Sequence, residues 1–229
     1  MNYFEEGQVL LIDKPLEWTS FDVVRKIRNL VRTKKVGHAG TLDPLATGLL
    51  IVCTGKFTKR INEFMAKEKE YTGTITLGST TPTYDLESLP ENIKSTDEIT
   101  EEQIRTATKQ FTGNISQVPP IHSAIKVGGK RVYELARKGQ DVKLEPRNVE
   151  IKEFEIINIE MPVVHFRIVC STGTYIRSIA NDFGRELGCG GYLSSLCRTR
   201  IGEFKNEDAK SMAEIEDWIK SRILLTPDS

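Results

Sequence analysis

Little in this chain suits metal or redox chemistry. It has three histidines and four cysteines in 229 residues, and His122 and His165 are not spaced with any Asp, Glu or Cys as ligands. Cys53, Cys170, Cys189 and Cys197 show no C-x-x-C spacing. They read as reduced, mostly buried thiols, neither a zinc site nor a disulfide framework. Long apolar runs are also missing: no stretch approaches the roughly eighteen residues that suggest a membrane span. The acidic start Met1-Asn2-Tyr3-Phe4-Glu5-Glu6 is no signal peptide, so a cytoplasmic protein with no membrane partner is expected. Net charge is absent as well, with 32 basic against 32 acidic residues, which at first argues against a nucleic-acid partner. Internal repeats, low-complexity segments and regular βαβ alternation are not found.

What is present is ordinary globular material, 38% hydrophobic and 28% charged, long enough for one large domain or two small ones. The charges are segregated. Basic residues gather at Arg25, Lys26, Arg28, Arg32, Lys34 and Lys35, then at Lys56, Lys59 and Arg60, then at Lys126, Lys130, Arg131, Arg137 and Lys138. Acidic residues gather between 85 and 102 and again beyond 203. Such a pattern permits one basic face on a neutral protein, and ordinary solvated helix faces account for it as well.

Periodicity predicts an α+β fold with an antiparallel or mixed sheet. Val9-Leu10-Leu11-Ile12 reads as a strand ended by Lys14-Pro15. Ser20 then caps a helix with the stripe Val23, Val24, Ile27, Leu30 and Val31. Thr54 can cap a helix carrying Ile61, Phe64 and Met65. Residues 71–77 alternate strictly, placing Tyr71, Gly73, Ile75 and Leu77 on one sheet face. Thr100-Glu101-Glu102-Gln103 is a capping box opening a helix that Gly113 closes. Residues 149–159 and 163–169 form an antiparallel hairpin broken at Met161-Pro162. A helix with Ile176, Ile179, Phe183 and Leu187 follows Gly173, a strand covers 192–201, and a short amphipathic helix covers 213–225.

The most informative stretch is Gly37-His38-Ala39-Gly40-Thr41-Leu42-Asp43-Pro44-Leu45-Ala46-Thr47-Gly48. Three glycines, a proline and two threonines in twelve residues describe a tightly turned loop. It runs into Leu49-Leu50-Ile51-Val52-Cys53, a buried strand. Pro44 restricts Asp43 to extended geometry, so this lone carboxylate sits on stiff backbone. By itself an Asp before Pro is also ordinary turn chemistry. Two decoys fail. Thr54-Gly55-Lys56 imitates a P-loop, but Phe57 stands where Ser or Thr is needed. Gly188-Cys189-Gly190-Gly191 follows a helix, not a strand. His38 and Asp43 lack the G-x-S-x-G elbow of a hydrolase.

The loop closely resembles the active-site loop of the TruB family of tRNA pseudouridine synthases. Further blocks resemble the family in family order: Asp13-Lys14-Pro15 with Trp18-Thr19-Ser20, Lys69-Glu70-Tyr71 leading to Leu77-Gly78, Val118-Pro119-Pro120, Ser123-Ala124, Tyr133-Glu134-Leu135-Ala136-Arg137, and Cys170-Ser171-Thr172-Gly173-Thr174-Tyr175-Ile176-Arg177-Ser178. The resemblance implies the pseudouridine synthase fold, a mixed, mostly antiparallel sheet flanked by helices and loops. It implies isomerisation of uridine 55 in the T loop of tRNA by base flipping, with the T-arm stem-loop as partner and no obligate protein partner. The reaction cleaves N1–C1′, rotates the uracil and joins C5 to C1′. With no redox or phosphate-transfer step, neither cofactor nor metal is expected.

The resemblance assigns Asp43 as the essential carboxylate, either attacking C1′ or removing the 2′ proton. It makes Arg177 its partner, Tyr71 the residue that stacks on the uracil and the candidate base for the C5 proton, and His38 the filler of space left by everted nucleotides. Lys14 belongs to the N-terminal motif, and Tyr175 and Leu196 pack around Arg177 and the base. Independently, Arg177 at a helix start is electrostatically misplaced against the macrodipole, which suggests a specific partner. Tyr71, Tyr175 and Leu196 read from the residues alone as core.

The chain departs from the family pattern at Glu17 and Ser88, where glycine is usual, and at Cys197, where arginine is common. The expected domains are a catalytic domain over 1–205 and a short helical tail over 206–229, too short for the RNA-binding PUA domain that many members carry. Two other readings are an RNA chaperone that everts and refolds tRNA, and a subunit of a guide-RNA-dependent particle. Leu45-Ala46-Thr47 and the missing PUA domain favour the stand-alone enzyme.

Overall fold

A computed structural model describes residues 3–121, 126–127, 130–131 and 144–225. His122, Ser123-Ala124, Tyr133 to Arg137 and Lys138 lie outside the described residues. So do the side chains of Lys126, Lys130 and Arg131. The chain forms two compact units. One comprises Met1–Tyr71 with Leu196–Ser229, the other Thr72–Ser195.

The first unit opens with a short helix α1 (Tyr3–Glu6), strand β1 (Val9–Lys14) and helix α2 (Ser20–Val31). The cap of α2 is Thr19, one residue earlier than the composition suggested. Its hydroxyl accepts from the Asp22 amide while Asp22 reaches back to the Thr19 amide, a full capping box. Ser20 is thereby free for another task, described below. Strands β2 (Val36–His38) and β3 (Ala46–Thr54) follow. β1 pairs antiparallel with one edge of β3. β2 takes the other edge at its Thr54 end, also antiparallel.

Residues 49–53 of β3 are apolar without interruption because both faces of the strand are covered there. Leu50 and Val52 join a core with Phe4, Ile12, Val23 and Ile27, whereas Leu49, Ile51 and Cys53 join one with Phe64 and Ile201. Thr54 caps nothing. Its hydroxyl donates to the Phe4 carbonyl and accepts from the Gln8 amide, and a 3-10 helix (Gly55–Arg60) leads into α3 (Ile61–Ala66). The glycine of the false P-loop serves packing: a Cβ on Gly55 would lie 2.2 Å from the Glu5 carbonyl oxygen.

β4 (Lys69–Leu77) carries the chain into the second unit after Tyr71. There α4 (Glu101–Ala107) starts at the expected capping box of Thr100 and Gln103, and a 3-10 turn (Thr108–Phe111) ends it. Gly113, at φ 92°, opens β5 (Gly113–Gln117), a strand with no clear sequence pattern. β6 (Lys126–Val127) and β7 (Lys130–Arg131) pair with each other. β8 (Arg147–Glu160) and β9 (Val163–Cys170) form the expected hairpin, with two register shifts. Helix α5 (Ile176–Glu186) precedes β10 (Gly191–Ile201). The sheet of this unit runs β10, β4, β9, β8, β5. Phe154 and Phe166 of this sheet pack with Phe111 and Phe183, three of the four ring pairs edge-on and Phe154–Phe183 tilted.

β10 returns the chain to the first unit after Ser195, where Leu196, Cys197 and Arg198 pair parallel with Ala46, Thr47 and Gly48. Gly48 is required by this approach: at φ 98° a Cβ there would sit 2.4 Å from the Arg198 carbonyl oxygen. β11 (Phe204–Lys205) and α6 (Met212–Leu225) complete the unit, with Ile215 and Ile219 in the core of Phe4 and Ile12. The α+β class with a mixed, mostly antiparallel sheet is borne out.

Candidate active site

The Asp43 loop, residues 39–45, joins β2 to β3. Side chains from β1, α2 and β10 hold it almost residue by residue. Ser20 is buried, and its hydroxyl accepts from the Leu42 amide (2.9 Å) and donates to the Leu42 carbonyl (3.1 Å). Past Asp43, the Pro44 carbonyl accepts from the Glu17 amide (2.8 Å) and from Lys14 Nζ (3.3 Å). The Asp43 carbonyl accepts from the Ala46 amide. Both neighbours of Asp43 are thus tied to parts of the chain some twenty to thirty residues away in sequence, and the proline locks the bond between them.

Lys14 is wholly buried, with its ammonium on the carbonyls of Pro15 (2.9 Å), Trp18 (2.5 Å) and Pro44. Burial lowers its pKa to about 8, Arg198 pushing the same way and the negative charge of Asp43 opposing. Lys14 is therefore less a surface cation for RNA than an internal tie with Asp43 in its field.

Arg198 had no signal in the sequence beyond its charge. It is 1% exposed. Its Nε donates to the Leu49 carbonyl (2.8 Å) and its Nη2 to the Gly40 carbonyl (3.2 Å). His38 lies on β2 opposite Val52, half-buried, and burial lowers its pKa, so it is a neutral ring. Leu196 sits opposite Ala46, its carbonyl accepting from the Thr47 hydroxyl. Cys197 is half-buried and burial raises its pKa, leaving an inert thiol where a cation is common. Tyr71 is buried at 9% exposure on β4. It follows Glu70, whose carboxylate accepts from the Thr199 hydroxyl on β10. Lys69, of the same motif, donates to the carbonyls of Met65 and Lys67 and closes the end of α3. Asp43, Lys14, His38, Leu196 and Tyr71 all belong to the first unit.

The second unit holds Arg177 and Tyr175. Arg177, in the first turn of α5, is 4% exposed. Asp85 places a carboxylate oxygen 3.6 Å from its Nη1, and the Thr83 carbonyl accepts from the same nitrogen at 3.3 Å. The Glu87 amide holds the other Asp85 oxygen. Ser88, one of the departures from the family pattern, braces this turn: its Oγ accepts from the Thr83 amide and lies 2.7 Å from the Thr83 hydroxyl. The peptide of Tyr175 is clamped by Gln117, whose amide accepts from Tyr175 N (2.8 Å) and donates to Tyr175 O (3.1 Å). Asp85 and Gln117 were not readable as site residues, because their partners lie roughly sixty to ninety positions away.

The basic runs of the first unit sort by their partners. Arg25 pairs with Asp22, Lys26 with Glu216 and Arg60 with Glu63. Arg32, Lys34, Lys35, Lys56 and Lys59 are exposed and have no carboxylate in ion-pair contact among the described residues. The Gly55 amide donates to the Lys35 carbonyl, so the two runs meet at that backbone bond. No helix among the described residues is long and apolar enough to cross a membrane.

The comparisons with known proteins agree with one another. Residues 28–176 match the TruB family pseudouridylate synthase N-terminal domain, and residues 177–224 match the tRNA pseudouridylate synthase B C-terminal domain. The chain is 50% identical over 222 residues to tRNA pseudouridine synthase B of Phocaeicola vulgatus, covering 94% of each chain. It is 52% identical over 222 residues to the protein of that name from Flavobacterium johnsoniae, covering 94% of this chain and 97% of the relative. Among solved structures, a chain of a Cbf5–Nop10–Gar1 complex aligns with TM-score 0.74 at 31% identity, over 94% of this chain and 55% of that one. A chain of an H/ACA RNP bound to a substrate RNA containing 2′-deoxyuridine aligns with TM-score 0.70 at 28% identity, over 94% and 54%. This chain thus spans about half the length of those solved chains. Matched along nearly its whole length, from α2 to the end of α6, the chain belongs to the TruB family of pseudouridylate synthases.

Proposed function

We propose that this protein isomerises uridine to pseudouridine in tRNA, at position 55 of the T loop, on a base flipped out of its stack. Asp43 supplies the ionised carboxylate at the ribose. Tyr71 stacks on the uracil and accepts the C5 proton, and Arg177 steadies the carboxylate. The N1–C1′ bond breaks, C5–C1′ forms, the C5 proton leaves and N1 gains one, so substrate and product have the same composition. The step needs no oxidant, metal or cofactor. Base flipping costs a few kcal/mol, roughly what stacking on one aromatic ring returns. The exposed lysines around Lys35 and Lys56 suit RNA phosphates, and a cytoplasmic site of action follows from the tRNA substrate.

The observation that carries this reading is the fixation of Asp43, whose two neighbours are pinned by Ser20, Lys14 and Glu17. A merely turn-forming Asp needs no such bracing. The similarity to chains from Cbf5 complexes and an H/ACA RNP favours, as a second reading, a subunit that needs a guide RNA. Identity of 50% over 94% of both chains to a tRNA pseudouridine synthase B favours the stand-alone enzyme. Purified protein incubated with bulk tRNA or a T-arm hairpin, followed by pseudouridine mapping, tests both. The expected result is modification at position 55 without guide or partner, lost in Asp43→Asn and Asp43→Ala with RNA binding retained. Normal turnover by both variants would refute the assignment.

A further inference from the structure

We infer that Arg198 is a positioning residue for Asp43: its guanidinium ties the two stalks of the Asp43 loop together and fixes where the carboxylate is presented. The inference rests on the functional reading of Asp43 given above. Gly40 lies three residues before Asp43 and Leu49 six after it. Arg198 bonds both carbonyls, from one planar group on a third strand. A guanidinium suits this because its donors diverge in a fixed fork, so two acceptors held by one group are also held at a fixed spacing. Lysine, a point charge on a flexible stem, cannot reproduce that.

The site is costly to build. An Arg at 1% exposure gives up its hydration, and among the described residues no carboxylate is in ion-pair contact with it. The fold accepts a second buried cation nearby, since Arg198 depresses the proton affinity of Lys14 while Asp43 raises it. Two buried cations, each bonded to one carbonyl of the loop (Pro44 for Lys14, Gly40 for Arg198), make a frame for the anion that the loop carries. Plain packing does not ask for that, because an apolar residue on β10 would fill the same space at lower electrostatic cost. Leu196 and Cys197, the neighbours in the same strand, bond no loop carbonyl through their side chains.

The test uses the full chain with Arg198→Lys and Arg198→Met beside wild type and Asp43→Asn. Hydrogen exchange of the peptides covering 39–49 is measured together with kcat, KM and RNA affinity. Loop exchange is expected to rise at least tenfold in both Arg198 variants, with exchange in β8 and β9 unchanged. Turnover should fall about tenfold in Arg198→Lys and a hundredfold in Arg198→Met, while KM and RNA affinity stay within threefold. Should Arg198→Met fail to fold, Arg198→Lys carries the test. Unchanged loop exchange with turnover within threefold of wild type overturns the inference. So does a uniform rise in exchange with kcat, KM and binding all impaired, which marks a general structural role. Loosening confined to the loop, with Asp43→Asn as active as wild type, would keep the clamp and sink the functional reading instead.

Discussion

Glu17 donates its backbone N–H to the carbonyl of Pro44 across 2.8 Å, and does so from a left-handed conformation, φ 67°. The bond supports the residue next to Asp43, so the unfavourable backbone is retained for the sake of the loop. The left-handed region costs a residue with a Cβ about 1–2 kcal/mol. Glycine recovers part of that, after the larger chain entropy it loses on folding.

Glu17→Gly should therefore stabilise the protein by roughly 0.5–1 kcal/mol, with the melting temperature rising by about 1–4 °C. Calorimetry checks it. Because the side chain is exposed and the bond runs through the backbone, turnover should not change. A drop in melting temperature would show that the Glu17 carboxylate does something the geometry does not reveal.

Lys14 links loop stability to pH. Its folded pKa, about 8, lies below the ordinary 10.5 because burial disfavours the ammonium. Between these values the unfolded chain binds the proton more tightly than the folded one, so stability rises with pH there. The electrostatic penalty is full below pH 8 and disappears as pH climbs past 10.5. Lys14→Met removes this dependence and leaves three carbonyls without their donor, a cost of about 1–3 kcal/mol each where they stay dry. The deficit of Lys14→Met relative to wild type should widen by roughly 2–3 kcal/mol between pH 7 and pH 10 in urea denaturation. A deficit that does not change with pH contradicts the assignment.

Asp85 and Ser88 govern Arg177. Asp85→Asn removes the carboxylate found at 3.6 Å from a guanidinium that is 4% exposed. Breaking a buried pair from one side costs about 3 kcal/mol or more. Turnover should drop at least tenfold, with RNA affinity nearly unchanged, as single-turnover kinetics and binding assays would show. Ser88→Gly loses only the hydroxyl contacts to Thr83, a loss of about 1–2 kcal/mol. Its turnover should fall less than that of Asp85→Asn. The reverse order would place the support of Arg177 in the turn backbone and not in the Asp85 charge.

The elements were legible to the degree that their signals were local. The capping box at Thr100, the alternation of β8 and β9 and the apolar run of β3 depend on residues within one segment, and each came out as expected. β5 did not, because Gly113-Asn114-Ile115-Ser116-Gln117 has one apolar side chain and is a strand only by pairing with β8. Ser20 reads as the cap from sequence because Ser and Thr share that chemistry. Thr19 took the role once Ser20 could bury its hydroxyl on Leu42.

The chain's order of residues was enough for the family, the α+β class, and Asp43 as the carboxylate to watch. Motifs and periodicity are properties of neighbouring residues, and they survive being read in one dimension. Which carbonyls Lys14 and Arg198 would meet, and that Asp85 would stand beside Arg177, became definite only when strands far apart in sequence were laid together. A buried cation is chosen by the acceptors around it, and those acceptors are backbone atoms that every residue carries alike.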